Sequence, residues 1–210
     1  MDLKTAIETR SSVREYTSEP VPEADLREMV RLAGCAPSVN NSQPWRYLAI
    51  TNEALRVRMA EVVRGRLIEV LPPDPGDEAE RIAHEKLLEF CTWFGRAPAL
   101  LAVKTRDYEA VLDRALVRWG LTREEAARLR GHPNAVSVGA SVENLLLAAT
   151  ALGYASCWLT GPLVAARELE SLLDIGAPWR LGAIVAVGKP LRETRQSPKK
   201  PLDDIFELIA

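Results

Sequence analysis

The chain is poor in the residues from which most hydrolytic and metal-dependent machinery is built. Its 210 residues include two histidines, His84 and His132, and three cysteines, Cys35, Cys91 and Cys157. The cysteines are odd in number and widely spaced, and they match neither a CxxC pair nor a zinc spacing. That pattern predicts reduced thiols in a cytoplasmic protein. "HEKLL" (84–88) opens like a zinc-protease helix, but Leu88 stands where the second histidine is required. No GxGxxG follows a strand pattern and no GxxxxGK[ST] occurs, so a Rossmann dinucleotide site is not expected and a P-loop is excluded. "GASVE" (139–143) lacks the closing glycine of a nucleophile elbow, and Ser141 reads as a small packing residue. Cys157 reads as a buried structural thiol.

Net charge is also scarce. Lys and Arg number 27 against 29 Asp and Glu, a formal charge of -2, which gives no footprint for nucleic acid or for an anionic membrane. No apolar run reaches membrane-spanning length, and "MDLKTAIETR" carries no secretory h-region. The expectation is a cytoplasmic protein with no nucleic-acid or membrane partner.

What is present is an ordinary globular balance, 47% apolar and 27% charged, at a length that suits one domain over 1–210. "PVPEADLREMVRLAG" (20–34) predicts a helix with Pro22 in its first turn, acids at its positive end and Gly34 closing it. Further helices are expected over 52–71 and 79–95, separated by a loop of turn formers at 72–80. Residues 106–130 read as charged helix with a turn near 119–122. Strands are expected at 45–51, 97–103, 154–160 and 181–188. The stretch 134–153 is apolar around most of its circumference, which predicts a helix buried centrally or against another subunit. The tail from Lys189 carries prolines at 190, 198 and 201 and is expected to run extended over a surface. Strands separated by helices of uneven length favour an α+β layer fold over a regular βαβ array.

Two polar clusters stand out. In "TRSSVREY" (9–16), Arg10 and Arg14 flank Ser11 and Ser12. Guanidinium forks and hydroxyls of this kind can cradle a phosphate, and they can equally be a solvated helix end. In "APSVNNSQPWRY" (36–47), short hydrogen-bonding side chains crowd together directly before a strand.

These two segments, followed by "LGYASCWLTGP" (152–162) and "SPKKPLDD" (197–204), occur in an order that resembles the nitroreductase superfamily of FMN-dependent oxidoreductases. The resemblance runs from Arg10 to Asp204. It implies a central, mostly antiparallel sheet flanked by helices, in an intertwined homodimer with an extended C-terminal tail. It further implies that Arg10, Ser11, Ser12 and Arg14 grip the FMN phosphate, ribityl chain and pyrimidine edge. The family often has a second arginine where Ser11 stands, so one charge contact is missing here. The family's P-S-x-x-N-x-Q-P-W loop approaches the flavin from the other subunit, which points to Pro37, Ser38, Val39 and Asn41, with Gln43, Pro44 and Trp45 fixing the loop to the core. Leu159, Thr160 and Gly161 correspond to the loop beside the isoalloxazine ring. Lys199, with Lys200 as a substitute, corresponds to the basic residue that completes the phosphate clamp.

The implied activity is ping-pong transfer of reducing equivalents from NADH or NADPH through FMN to an electron-poor substrate such as a nitroaromatic or a quinone. No catalytic side chain of the protein's own is needed, because the cofactor carries the chemistry. Arg14 would tune it: two unit charges about 4 Å apart interact by roughly 4 kcal/mol at an effective dielectric near 20. The alternatives are reductive dehalogenation, dehydrogenation or flavin fragmentation within the superfamily, and a non-catalytic dimeric binding scaffold. The segment 104–133, with Tyr108 and Trp119, is expected to cover the substrate side.

Overall fold

The computed structural model describes residues 1–74, 76–194 and 196–209. Pro75 of the expected 72–80 loop, and Arg195 and Ala210 of the expected tail, lie outside the described residues. Four strands, β1 (Trp45–Ile50), β2 (Ala99–Arg106), β3 (Ala155–Leu159) and β4 (Trp179–Gly188), form one antiparallel sheet in the order β1-β2-β4-β3. The helices are α1 (Leu3–Thr9), α2 (Glu23–Ala33), α3 (Glu53–Val70), α4 (Glu78–Thr92), α5 (Val111–Arg118), α6 (Arg123–Leu129), α7 (Pro133–Ala151) and α8 (Ala166–Leu172).

The central strands read as unbroken apolar runs because both of their faces are covered. Leu101, Val103, Val185 and Val187 pack with α2 and α7 on one face. Leu100, Ala102, Ile184 and Ala186 pack with α3, α8 and Phe94 on the other. α7 lies on the first face with Val142, Leu145 and Ala149 fully buried. Its opposite side keeps Val136 and Glu143 exposed, so it is covered by its own protomer on one side only.

Element ends depart from expectation where a local packing demand wins. α2 begins one residue after Pro22, whose φ of -57° and ψ of 142° make it the cap rather than the first turn. The helix expected over 79–95 stops at Thr92, and residues 93–96 tighten into a 3-10 turn. There the chain passes against α3 so closely that a Cβ on Gly95 would lie 2.8 Å from Ala60 Cβ. The strand expected at 97–103 is displaced to Ala99–Arg106, since Pro98 cannot donate to a ladder and pairing with β1 runs on to Thr105. The short helices α1 and α8, of seven residues each, had no periodic signature long enough to read.

The tail crosses the N-terminal segment. Thr17 N donates to Lys189 O (2.9 Å), Leu191 N to Glu15 O (3.1 Å), and Gln196 Nε2 to both Ile7 O and Arg10 O (3.0 Å each). Beyond it, residues 197–209 are exposed and hold only a 3-10 turn at Leu202–Asp204. Among the described residues no helix is long and apolar enough to cross a membrane.

Candidate functional site

The first cluster becomes a strip laid along the outer edge of β3. Arg10 closes α1, Ser12 bridges Ser156 in parallel register, and Val13 N donates to Ser156 O (3.1 Å). Tyr16 pins the strip: its hydroxyl donates to Val13 O (2.7 Å), and burial holds the phenol far above its ordinary pKa. The backbone is thereby spent on the sheet while the side chains of Ser12 and Arg14 stay exposed and those of Arg10 and Ser11 half-buried.

Arg10, Ser12 and Arg14 all bear on Cys157 of β3. Burial raises that thiol's pKa, and the charges of Arg14 and Arg10 with a hydrogen bond from Ser12 oppose the rise. The thiol is therefore a neutral floor, as the sequence suggested. Arg14 Cζ stands 5.5 Å from the ring centroid of Phe90 on α4, a cation–π contact with an exposed aromatic. Leu159, Thr160 and Gly161 leave the end of β3 beside the same helix, where a Cβ on Gly161 would lie 3.9 Å from Cys91 Sγ. Lys199 and Lys200 are exposed. Gln196 is bonded to Arg10 O, so three or four extended residues, roughly 10 to 14 Å, separate the lysines from the strip. Among the described residues neither Arg10 nor Arg14 is paired with a carboxylate, and Ser156 Oγ is buried without a partner.

The second cluster is built differently. Ser38 Oγ accepts from Gln43 N (2.9 Å), Asn41 Oδ1 accepts from Gln43 Nε2 (3.1 Å), and Val39 N donates to Ser137 Oγ of α7 (3.2 Å). Asn40, Asn41 and Gln43 take left-handed backbone, with φ of 48°, 53° and 43°. Asparagine tolerates this region, and Gln43 is held there by the hydroxyl of Ser38. Pro37 is exposed; Pro44 and Trp45 are buried and anchor the loop, with Pro44 O accepting from Arg106 N (3.1 Å).

Beneath the loop, Tyr47 OH lies 2.6 Å from Ser141 Oγ, which donates to Ala33 O (3.0 Å). Ser141 is fully buried, as a packing residue would be. It is also the hydrogen-bond hub between β1, α2 and α7, a role its sequence context does not reveal.

The two clusters do not meet within one protomer. The loop enters the β1 edge at the Trp45–Thr105–Arg180 level, whereas the strip lies on the β3 edge at the Ser156–Val187 level. Three strand spacings across and seven residues along β4 (180 to 187) put them at diagonal corners, roughly 14 Å by 23 Å apart.

The charged segment after β2 forms a cover. α5 and α6 enclose a cavity of about 430 Å³ against the start of α7, lined by Tyr108, Asp113, Val117, Arg123, His132 and Asn134 among others. Burial pushes the Asp113 carboxyl up, but Arg130 (2.5 Å) and the Ala110 N–H outweigh it and hold its pKa below the ordinary value. Tyr108 OH accepts from Asn40 Nδ2 (3.5 Å), so cover and loop touch. Trp119 lies outside this cavity, at the turn between α5 and α6, and is 86% exposed. Sequence does not reveal Phe90, which lies in no motif, nor the Asn40–Tyr108 contact, which joins two separately recognised segments 68 positions apart.

The model of a family described as the nitroreductase family matches residues 7–189. A BluB-like flavoprotein from Clostridium difficile has a crystal structure that is 30% identical, superposes with a TM-score of 0.85, and is covered completely, as is this chain. An iodotyrosine deiodinase, solved with FMN and 3-iodo-L-tyrosine, is 26% identical with a TM-score of 0.71 and full coverage of both chains. An NADH dehydrogenase of Thermus thermophilus is 26% identical over 98% of this chain and 95% of its own length.

Proposed function

The chain belongs to the nitroreductase family, and from that premise we propose that it is an FMN-dependent oxidoreductase that takes reducing equivalents from NADH or NADPH and delivers them to an electron-poor small molecule. One observation carries the reading. Two guanidiniums without carboxylate partners, an orphaned buried hydroxyl and an apolar wall lie along a single sheet edge. FMN has that shape of demand, with a dianionic phosphate at one end and a flat apolar ring system at the other.

The residues present fit the cofactor. Arg10 and Ser12 would hold the phosphate and ribityl chain, and Ser11 would add a hydroxyl where the family commonly has a second arginine. Lys199, or Lys200 beside it, would bring point charge without the fork of an arginine. Arg14 would face the polar edge of the ring, and Leu159, Thr160 and Gly161 would line its side. FMN held there would supply hydride-accepting and electron-delivering chemistry between the nicotinamide donor and the second substrate. The protein's own groups bind, orient and exclude water.

The reading requires a homodimer. Pro37, Ser38, Val39 and Asn41 lie diagonally across the sheet from the strip, so both groups reach one cofactor only if each comes from a different copy. The cavity under α5 and α6 would then cover the substrate side, because its Tyr108 touches the same loop.

The test is spectroscopic. Purified protein should carry flavin absorbance, or gain it on titration with FMN, and NADH or NADPH should bleach it in stopped flow. A protein that stays colourless with excess FMN overturns the reading in favour of a dimeric scaffold. Sedimentation of an FMN-loaded monomer would overturn the shared site alone. A second reading, reductive dehalogenation, is favoured by the 26% identity to the deiodinase over the full length of both chains. It predicts turnover of halogenated aromatics in preference to nitroaromatics. A likeness of the same kind, 30% identity and a TM-score of 0.85 to the BluB-like flavoprotein, weighs equally for other flavin chemistry, flavin fragmentation included.

A further inference from the structure

The strip leaves Arg14 almost without restraint. Its side chain is exposed, and among the described residues its guanidinium is paired with no carboxylate. The neighbouring Glu15 turns instead to Arg192 (3.6 Å). Burial pushes the Cys157 thiol up, so the group beneath the strip offers no thiolate to pair with. A guanidinium on a flexible stem samples many rotamers unless a specific contact selects one. Here that contact is the ring of Phe90, whose centroid lies 5.5 Å from Arg14 Cζ.

The core does not require an aromatic at position 90. α4 buries Leu88, which is 1% exposed, and Phe90 stands two residues on, about 200° round the helix. Its ring is accordingly 60% exposed and belongs to neither core cluster. The helix that carries it is nevertheless fixed, by Leu88 and by Arg64 of α3, which donates to both carboxylate oxygens of Glu85 (2.9 and 2.8 Å).

The residue after Phe90 faces the turn that leaves β3, where a Cβ on Gly161 would lie 3.9 Å from Cys91 Sγ. Two consecutive residues of one anchored helix thus stand beside Arg14 on one side and the Leu159–Gly161 turn on the other.

We propose that Phe90 is a positioning residue: its ring holds the Arg14 guanidinium at the β3 edge, ready for the polar edge of FMN, and thereby favours the reduced cofactor. The inference rests on the flavin reading above and deepens it by one residue. Reduction places negative charge on that polar edge, so a preorganised cation stabilises reduced FMN more than oxidised FMN. A guanidinium that must first be ordered loses part of that gain to entropy.

The experiment titrates the full-length protein with oxidised and reduced FMN and measures the midpoint potential of the bound cofactor. Phe90→Leu keeps an apolar side chain but removes the π face. It should weaken oxidised FMN roughly threefold and reduced FMN roughly thirtyfold, the span of an exposed and a desolvated cation–π contact. That tenfold difference lowers the potential of the two-electron couple by about 30 mV. Phe90→Tyr retains the ring and should restore both affinities and the potential. In an Arg14→Met background Phe90→Leu should have no further effect, because the interaction it removes is already gone. Urea unfolding of the apoprotein should be the same in all Phe90 variants. Wild-type affinities and potential in Phe90→Leu would overturn the proposal and leave the flavin reading intact. So would an undiminished effect of Phe90→Leu in the Arg14→Met background, which would mean that the ring acts on its own, or a failure of Phe90→Tyr to restore the potential. A wild type that takes up no FMN would remove the flavin reading and this proposal with it.

Discussion

The strip at 10–14 and the loop at 37–43 are similar in composition but opposite in how they use their hydrogen bonds. The loop is closed on itself: Ser38, Asn41 and Gln43 satisfy one another, Ser137 takes the Val39 N–H, and three left-handed residues are locked in place. The strip gives its backbone to β3 and leaves two guanidiniums without acid partners among the described residues. The first is a preformed platform whose shape is fixed before anything binds. The second is a receptive charge that an anion would complete. A shared cofactor site needs both, since rigidity without charge binds a phosphate weakly and charge without a fixed wall does not orient a ring.

The largest break in that contrast comes from the strip. Arg10→Ala with Arg14→Ala should weaken FMN binding by roughly a hundredfold or more, taking about 1.5–3 kcal/mol for each lost bond to a charged group. Flavin fluorescence titration measures this, and urea unfolding of the apoprotein should be unchanged within error. Wild-type affinity in the double variant would remove the strip from the site.

The platform breaks from below. Ser141→Ala leaves the Tyr47 hydroxyl and Ala33 carbonyl without their shared partner, at a cost of about 1–3 kcal/mol in urea unfolding. The same network has a pH signature. Burial pushes the Tyr47 phenol up to about 12, and the bond to Ser141 only moderates the shift. The native state therefore favours the neutral phenol. Its contribution is fully present below pH 10, where the unfolded phenol is also neutral, and is lost as pH rises from 10 to 12. Tyr47→Phe should flatten that part of the alkaline limb.

A smaller effect sharpens the comparison at the loop itself. Ser38→Ala frees Gln43 from the hydroxyl that holds its left-handed backbone and should lower stability by about 1 kcal/mol. FMN affinity should fall by less than in the arginine variant, because a loosened platform still offers its backbone. An equal loss would mean that the loop carries more than shape.

Much of the architecture was legible because it is written locally. The apolar runs of β2 and β4 and the wide apolar surface of α7 declared their burial, and Gly34 closes α2 as its sequence indicates. The end of α4 was misplaced because the close passage of Gly95 over Ala60 is a contact between distant segments. Phe90 was invisible for the same reason: on its own helix it is one more exposed aromatic, and only the strip laid beside it gives it an arginine.

Taken alone, the sequence determined which segments become helix or strand, which side chains are apolar enough to be covered, and which two clusters are chemically able to hold an anion or brace a ring. Those properties depend on a residue and its near neighbours. The tertiary structure decided that the clusters stand at diagonal corners and that Phe90 meets Arg14. Strand pairing joins residues as far apart as Ala99 and Val187, and no local pattern encodes it.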